Sequence, residues 1–517
     1  MPGPDASDVP GAPRRAVVAV CIATAVVGVN ATAIGVATRG IADELHASLR
    51  DLEWIMSAYL VAAAAFALIG GRMGDVVGRT RTFMIGCGVF VGGCLLAAVA
   101  PGTAVLIGAR AVQGVGAALV MPASIEVVAS HPSSRGPNAG FRARGVVYAS
   151  AFGIGPLIGG VLTDTVSWRA VFWCELVGLL VAIVFAFPLL RATSRLPRPP
   201  TRDFLGGALA AIVVFLGVLI ASRGNAWGWS LWPTGVLVVL TLALGAVLVW
   251  VEINADHPLI HGWLLRDRTV MGANVATLGA SIGMLGLIYF FDVFAQSSVV
   301  FESTAVGVAV ALIPFTLSII AFALVAGFLA RRLGFRGPVI LGLGLSVIGF
   351  AWLASVTVGT TEVELLVPLA LCGVGAGIAN AGLTTPAVMT NRRRIDEAAG
   401  LVSLTRFLGS AIAVAIGTAS FLSVAVGPPG RGTPADPADT ALGGSAYQQA
   451  VATLRVDLRR PFEAATREAT VHAFASTMRL AAIALAVLMV VSALLLAGAA
   501  PEDDDVLVAP ETTDPRR

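Results

Sequence analysis

Apolar residues in this chain come in runs of about twenty, divided by short polar breaks, from Ala16 to Leu496. A helix of about 20 residues crosses roughly 30 Å of hydrocarbon, so each run predicts a membrane-spanning helix. About fourteen runs are distinguishable: 16–37, 53–71, 82–100, 104–129, 144–163, 170–190, 204–222, 231–251, 270–293, 304–330, 337–356, 363–389, 399–425 and 475–499. The first follows Arg14 and Arg15 and imitates a signal peptide, but its length and the closeness of the next run predict an uncleaved helix.

One polar break is distinctive. Gly71-Arg72-Met73-Gly74-Asp75-Val76-Val77-Gly78-Arg79-Thr80-Arg81 follows the second run and returns, degraded, as Gly327-Phe328-Leu329-Ala330-Arg331-Arg332-Leu333-Gly334-Phe335-Arg336 after the tenth. Internal repeats of this kind build transporters whose two halves enclose one site near the bilayer midplane. Two plain six-helix halves would place the copies six runs apart rather than eight, so two helices are inserted. The seventh and eighth runs, behind an Arg/Pro-rich stretch, are the natural choice. The expected organisation is a cytoplasmic segment 1–15, a six-helix bundle 16–190, a cytoplasmic linker 191–203, two inserted helices 204–251, and a second six-helix bundle 252–499. The second bundle carries a long external loop, 427–473, and a disordered acidic tail follows at 500–517.

Basic residues are retained on the cytoplasmic side of a membrane. They collect in alternate breaks: Arg72, Arg79 and Arg81; Arg135, Arg142 and Arg144; Arg191, Arg195, Arg198 and Arg202; Arg331, Arg332 and Arg336; Arg392, Arg393 and Arg394. Both termini are therefore expected in the cytoplasm. The external loop is an exception in charge, with Arg431, Arg455, Arg459, Arg460 and Arg467, but long loops cross with little regard to charge. Tyr447 to Arg467 reads as a surface helix or a solvated loop.

Composition narrows the class further. With 57% of residues hydrophobic and only 13% charged, and a mean hydropathy of +0.86, the chain is unlike a soluble domain. Five cysteines at unpaired spacings give no metal or disulfide framework, and no cofactor is expected. The net charge of +3 says little about a partner, and no nucleic acid is expected. No G-x-x-x-x-G-K-[ST], H-E-x-x-H or G-x-S-x-G pattern occurs, so neither direct ATP drive nor an enzyme is expected.

Four segments match a known pattern. Gly71, Met73, Asp75, Gly78 and Arg79 fit G-x-L-A-D-R-x-G-R-K, with Thr80 at a usually basic position and Arg81 beside it. Arg110, Gln113, Gly114 and Gly116 fit R-x-x-Q-G-x-G; Gly153, Gly155, Pro156, Gly159 and Gly160 fit G-x-G-P-x-x-G-G; and Ser167-Trp168-Arg169 with Phe172 fits S-W-R-W-I-F. Gln296, Gly307 and Pro314 fit a looser Q…G…P pattern, and His257-Pro258-Leu259 a loop before the ninth span. With these motifs the chain resembles a major facilitator superfamily transporter of the fourteen-helix drug:proton antiporter type, over nearly its whole length. The resemblance implies the major facilitator fold, an all-α integral membrane architecture in the plasma membrane. It also implies a cytoplasmic conformational latch at Gly71, Asp75, Gly78, Arg79 and Arg81, proton coupling at Arg110, and an antiporter seam at Gly153, Gly155, Pro156, Gly159 and Gly160. For Arg110 snorkelling to the outer interface is the plainer reading; Trp168 and Trp173 fit an aromatic belt and Arg169 an interfacial anchor.

One departure matters. These antiporters usually carry L-D-x-T in the first helix, and here the place reads Val29-Asn30-Ala31-Thr32. Asn30 cannot titrate, so a proton carrier must lie elsewhere. Glu175 and Asp292, both inside apolar runs, are the two replacements, because an ionised carboxylate out of water is costly and protonation relieves the cost. Asp292 reads equally as an outer-interface residue, and Glu175 also has a structural reading. Asn30, Gln113, Asn274, Gln296 and Asn380 are expected to line a substrate cavity, interhelical hydrogen bonding being the alternative. Arg406 reads as a cytoplasmic anchor, or as a partner for an anionic substrate.

The expected function is secondary active export of a small amphipathic organic compound by alternating access, with protons as partners, by a monomer in the lipid bilayer. A narrow-specificity metabolite exporter or uptake carrier is the alternative within transport, and a membrane sensor without flux the alternative outside it.

Overall fold

The computed structural model describes residues 12–130, 139–190, 204–227, 232, 234–255, 262–297, 299–301, 303–334, 336–389, 395–425, 452 and 456–497. The linker 191–203, the tail 500–517, residues 1–11 and most of the external loop fall outside these, as do Arg135 and Arg392, Arg393 and Arg394. Thirteen of the fourteen predicted runs lie each on one helix, and the run 304–330 is divided at Leu312 between a short helix and the spanning one. That short helix aside, thirteen of these helices are long and apolar enough to cross a membrane, and the remaining one is apolar over the shorter stretch Gly206–Ile220.

The first half contains α1 (Ala12–Val36), a short α2 (Thr38–Leu45), α3 (Leu49–Val77), α4 (Arg79–Ala98), α5 (Thr103–Ser130), α6 (Ala139–Thr165) and α7 (Arg169–Ala186). Ser48 starts α3 with a capping box: its hydroxyl accepts from the Asp51 amide and the Asp51 carboxylate accepts from the Ser48 amide. Next come α8 (Phe204–Trp227), α9 (Thr234–Asn254) and the short α10 (Gly262–Arg266). The second half contains α11 (Arg268–Ala295), a short α12 (Ala305–Ala311), α13 (Ile313–Leu333), α14 (Arg336–Leu353), α15 (Glu362–Met389), α16 (Ile395–Ala425) and α17 (Val456–Ala497).

The repeat is visible in the backbone. Gly78 separates α3 from α4 with φ +101°, and Gly334 separates α13 from α14 with φ +65°. Residues with a Cβ rarely adopt this region, so both copies of the motif need glycine at the break. The same spacing continues inward. Gly86 and Gly93 bring α4 onto the backbone of α5, and Gly342 and Gly349 bring α14 onto α15. Close approach through small residues holds helices together where lipid provides no hydrophobic drive.

The two halves meet along two seams, α3 with α16 and α6 with α13. In the second seam α6 is pressed from both sides. Gly155 and Gly159 face α1, where a Cβ would collide with the Thr32 hydroxyl and the Ala33 carbonyl. Gly153 and Gly160 face the other half, against Thr316 and the Ala305 carbonyl. Pro156 deprives the Phe152 carbonyl of its helical donor, and the Thr32 hydroxyl replaces it at 3.1 Å. The Thr316 hydroxyl donates to the Gly153 carbonyl at 2.6 Å across the seam.

The inserted helices lie outside this core. α8 packs on both α3 and α16, and α9 packs on α8. In its apolar window α9 buries nothing within the protein, leaving Val239, Leu242 and Trp250 to face lipid.

Gly159→Val is expected to lower the stability of the detergent-purified protein by about 1–3 kcal/mol, the range for overpacking a filled core. Gly88→Ala, at a position with open space around it, should leave the thermal unfolding midpoint unchanged. Equal midpoints for both variants would refute the tight-seam account.

Candidate functional site

Five helices of the first half, α1, α3, α4, α5 and α7, bring a charged cluster together in the apolar interior. Arg110 on α5 is completely buried. Its Nη1 donates to Asn30 Oδ1 on α1 at 2.6 Å and to Gln113 Oε1, one turn along, at 2.9 Å. Each of these amides then donates to Glu175 Oε2 on α7, Asn30 at 2.8 Å and Gln113 at 3.3 Å. Two amides thus relay one guanidinium to one carboxylate. Cys94 on α4 joins the relay, accepting from Gln113 Nε2 at 3.2 Å. Arg110 Nε donates to the Ile55 carbonyl at 3.0 Å, and its Cζ lies 4.5 Å from the centre of the Tyr59 ring.

This geometry answers several sequence questions. Arg110 does not snorkel outward. Asn30 and Gln113 are committed to the relay, with no exposed surface toward a cavity. Both relay bonds to Glu175 converge on Oε2; among the described residues, Oε1 and, at the other end, Arg110 Nη2 have no hydrogen-bond partner. Oε1 can therefore accept a proton without disturbing either bond.

Asp292 belongs to a second cluster, near the C-terminus of α11 and between the halves. It is fully buried, not at an exposed interface. Thr38 donates to its Oδ2 at 3.1 Å, and Gln296 Nε2 donates to its Oδ1 and to the Val36 carbonyl at 3.2 Å. Gln296 lies in this junction and not in a central cavity. Nearby, Asp164 of the first half accepts from the Val306 amide of the second at 3.0 Å.

The opposite end of the protein, carrying Gly78, is joined differently. Arg72 Nη1 lies 3.9 Å from Glu397 Oε1 on α16. Arg79 Nη1 donates to Ser130 at 3.0 Å, and its Nε lies 4.0 Å from Glu126 Oε2, both at the end of α5. Gly74 makes room for the Glu126 carboxylate, which a Cβ would strike. Arg81 is exposed; the side chain of Asp75 lies outside the described residues. Glu126 was not singled out from the sequence, although an acid four residues beyond Pro122 in an apolar run was a usable signal.

A third polar group lies between the halves. Arg406 is eleven residues into α16 and buried, not at the start of that helix. Its Nη1 donates to Asn380 Oδ1 at 3.4 Å, and its Cζ lies 4.6 Å from the centre of the Tyr148 ring. Asn274 Oδ1 accepts from the Thr405 hydroxyl at 3.0 Å. Arg144, counted above among loop residues, is inside α6 and buried, with Nε donating to Ser124 at 2.7 Å. Trp168 is also interior and not part of an aromatic belt: its indole donates to Glu44 at 2.6 Å, and Glu44 pairs with Arg169. Trp173 is exposed, as a belt residue should be.

Comparisons with known proteins agree with this architecture. The profile of the Major Facilitator Superfamily matches residues 20–414. The chain is 28% identical over 374 residues to the Multidrug resistance protein Stp of Mycobacterium tuberculosis (strain CDC 1551 / Oshkosh), covering 71% of this chain and 68% of that protein. It is 28% identical over 400 residues to the Tetracenomycin C resistance and export protein of Streptomyces glaucescens, covering 72% of this chain and 73% of that one. A solved POT family transporter in complex with 5-aminolevulinic acid shares the fold, with a TM-score of 0.60 at 14% identity over 93% of this chain and 96% of that chain. Repeated bundles with buried charge at their junctions are what this family match leads one to expect, and the chain belongs to the major facilitator superfamily, a multi-pass membrane transporter and not an enzyme.

Proposed function

We propose that the protein is a secondary active exporter of amphipathic organic compounds, driven by inward proton flow, with the Gly78 end and both termini in the cytoplasm. The observation that carries the reading is the Arg110–Asn30/Gln113–Glu175 relay. An acid enclosed in hydrocarbon favours its neutral form, and a nearby cation favours its charged form. Glu175 is subject to both influences, so small rearrangements of Arg110 or of the two amides shift its proton occupancy. That is the coupling required of a proton carrier, and it compensates for the missing first-helix acid at Asn30.

Alternating access needs two ends that open in turn. The chemistry of the two ends supports this division. At the outer end Thr38 donates to Asp292, and Gln296, which also donates to Asp292, donates to the Val36 carbonyl, so protonation of Asp292 changes that closure. Arg72 and Glu397 join them at the cytoplasmic end through a solvent-reachable ion pair, worth about 0–1 kcal/mol by itself. A weak clasp suits a gate that must release in each cycle. The export direction is supported by the α6 glycine seam and by relatives named for multidrug resistance and for tetracenomycin C export.

The reading is tested in inverted vesicles carrying an imposed proton gradient. Addition of a transported lipophilic dye should collapse the gradient in proportion to dye uptake, and transport with no proton movement would overturn the antiport mechanism. Glu175→Gln should abolish uphill accumulation while leaving downhill dye exchange. Asp292→Asn should leave both but shift the pH dependence of the rate, because the acid that strengthens the outer closure is gone. If neither variant alters accumulation or its pH profile, protons are carried elsewhere. Asp75→Asn should reduce transport roughly tenfold, an effect of about 1.4 kcal/mol, with membrane insertion unchanged on immunoblots of the membrane fraction.

A further inference from the structure

Arg144 and Arg406 come from opposite halves of the protein, and only 3% and 5% of their surfaces are accessible. A buried guanidinium in a membrane protein ordinarily meets a carboxylate, as Arg110 meets Glu175 through its two amides. These two do not. Among the described residues neither forms an ion pair. The titratable groups that act electrostatically on Arg144 are Arg406, Tyr148 and Cys21, with no acid among them. Like charges are thus held together rather than kept apart.

Their hydrogen bonds hold them in place without neutralising them. Arg144 is fixed to α5 by Ser124 at 2.7 Å and by the Met121 carbonyl at 3.3 Å. Arg406 has a long bond to Asn380, at 3.4 Å, and a side-chain hydrogen bond to Tyr148. A guanidinium carries five N–H donors, so both retain donors for another acceptor. Arg406 faces the Tyr148 ring at 4.6 Å, and further aromatic pairs involve Tyr148 and the residue after Arg406. Tyr148 and Phe152 on α6 lie 5.0 Å apart, and Tyr59 on α3 meets Phe407 on α16 at 6.2 Å.

We propose that Arg144 and Arg406 form the head-group site for the transported compound, which is an amphipathic organic acid: its carboxylate lies between the two guanidinium groups and its apolar body lies against Tyr148, Phe152 and Phe407. A planar carboxylate matches the guanidinium fork and can bond both arginines at once. Because the arginines belong to different halves, the anion is the missing counter-charge that draws α6 and α16 together. This deepens the export reading, on which its transport role rests, while binding stands independently of it.

The test uses the purified full chain in nanodiscs of zwitterionic phosphatidylcholine and two fluorescent probes of one skeleton, dansylglycine and its uncharged amide. Wild-type protein should bind dansylglycine at least tenfold more tightly than the amide. Arg406→Gln and Arg144→Gln should each reduce that preference below about threefold without changing amide affinity, and Arg406→Lys should restore part of it. Unchanged melting midpoints would confirm that the variants are folded; a variant that fails to fold is replaced by its Lys counterpart. Equal affinity for both probes, no binding of either, or a preference that survives both Gln variants would overturn the proposal. So would loss of the preference in discs containing anionic lipid, which would assign the site to a lipid headgroup. Selective binding without export in vesicles would sink the export reading alone, and export of the amide without preference for the acid would sink the anion site alone.

Discussion

A charge placed in hydrocarbon must be compensated by groups the protein itself supplies, and the arrangement of this molecule follows from how each buried charge meets that demand. Arg110 and Glu175 are compensated through Asn30 and Gln113, in a lattice that touches α1, α3, α4, α5 and α7. Moving any one of these helices changes the compensation of the others. Removing one member of a buried pair typically costs 3–5 kcal/mol, so the relay both fixes the first bundle and makes its geometry sensitive to protonation.

Close backbone packing within each half contrasts with side-chain links between them. Glycines bring α4 onto α5 and α14 onto α15 with backbone against backbone, which suits bundles that move as bodies. Among the described residues, polar links between the halves include the Arg72–Glu397 ion pair at the Gly78 end, hydrogen bonds through Asp292 and Asp164 at the other, the Thr316–Gly153 bond in the α6–α13 seam, and Arg406 against Tyr148. Pro156 adds one adjustable point, since its orphaned carbonyl is held by a side chain of α1 rather than by its own helix.

The membrane class, the helix spans and the repeat were legible because they depend on the local rhythm of apolar residues and on glycine spacing, both properties of contiguous sequence. Arg110, Glu175 and Asp292 stood out for the same reason, as charges inside apolar runs. What the sequence concealed was partnership. Nothing in the neighbourhood of Asn30 announces that it joins Arg110 to an acid 145 residues later. Arg144 read as a loop residue because it lies close to a basic break, yet α6 begins at Ala139 and carries it inward. Trp168 read as a belt residue because its local sequence is interfacial; its ring is buried, and its indole N–H is taken by Glu44, far away in the chain.

The pair of inserted helices breaks the symmetry that the repeat would otherwise impose. α8 spans α3 and α16 and so shields one of the two seams, while α9 screens α8 from the other side. Neither α8 nor α9 covers the α6–α13 seam among the described residues. Viewed from the surrounding lipid, the molecule has a walled flank and an open one, and a compound dissolved in the bilayer meets two unlike sides of a protein whose halves are otherwise built alike.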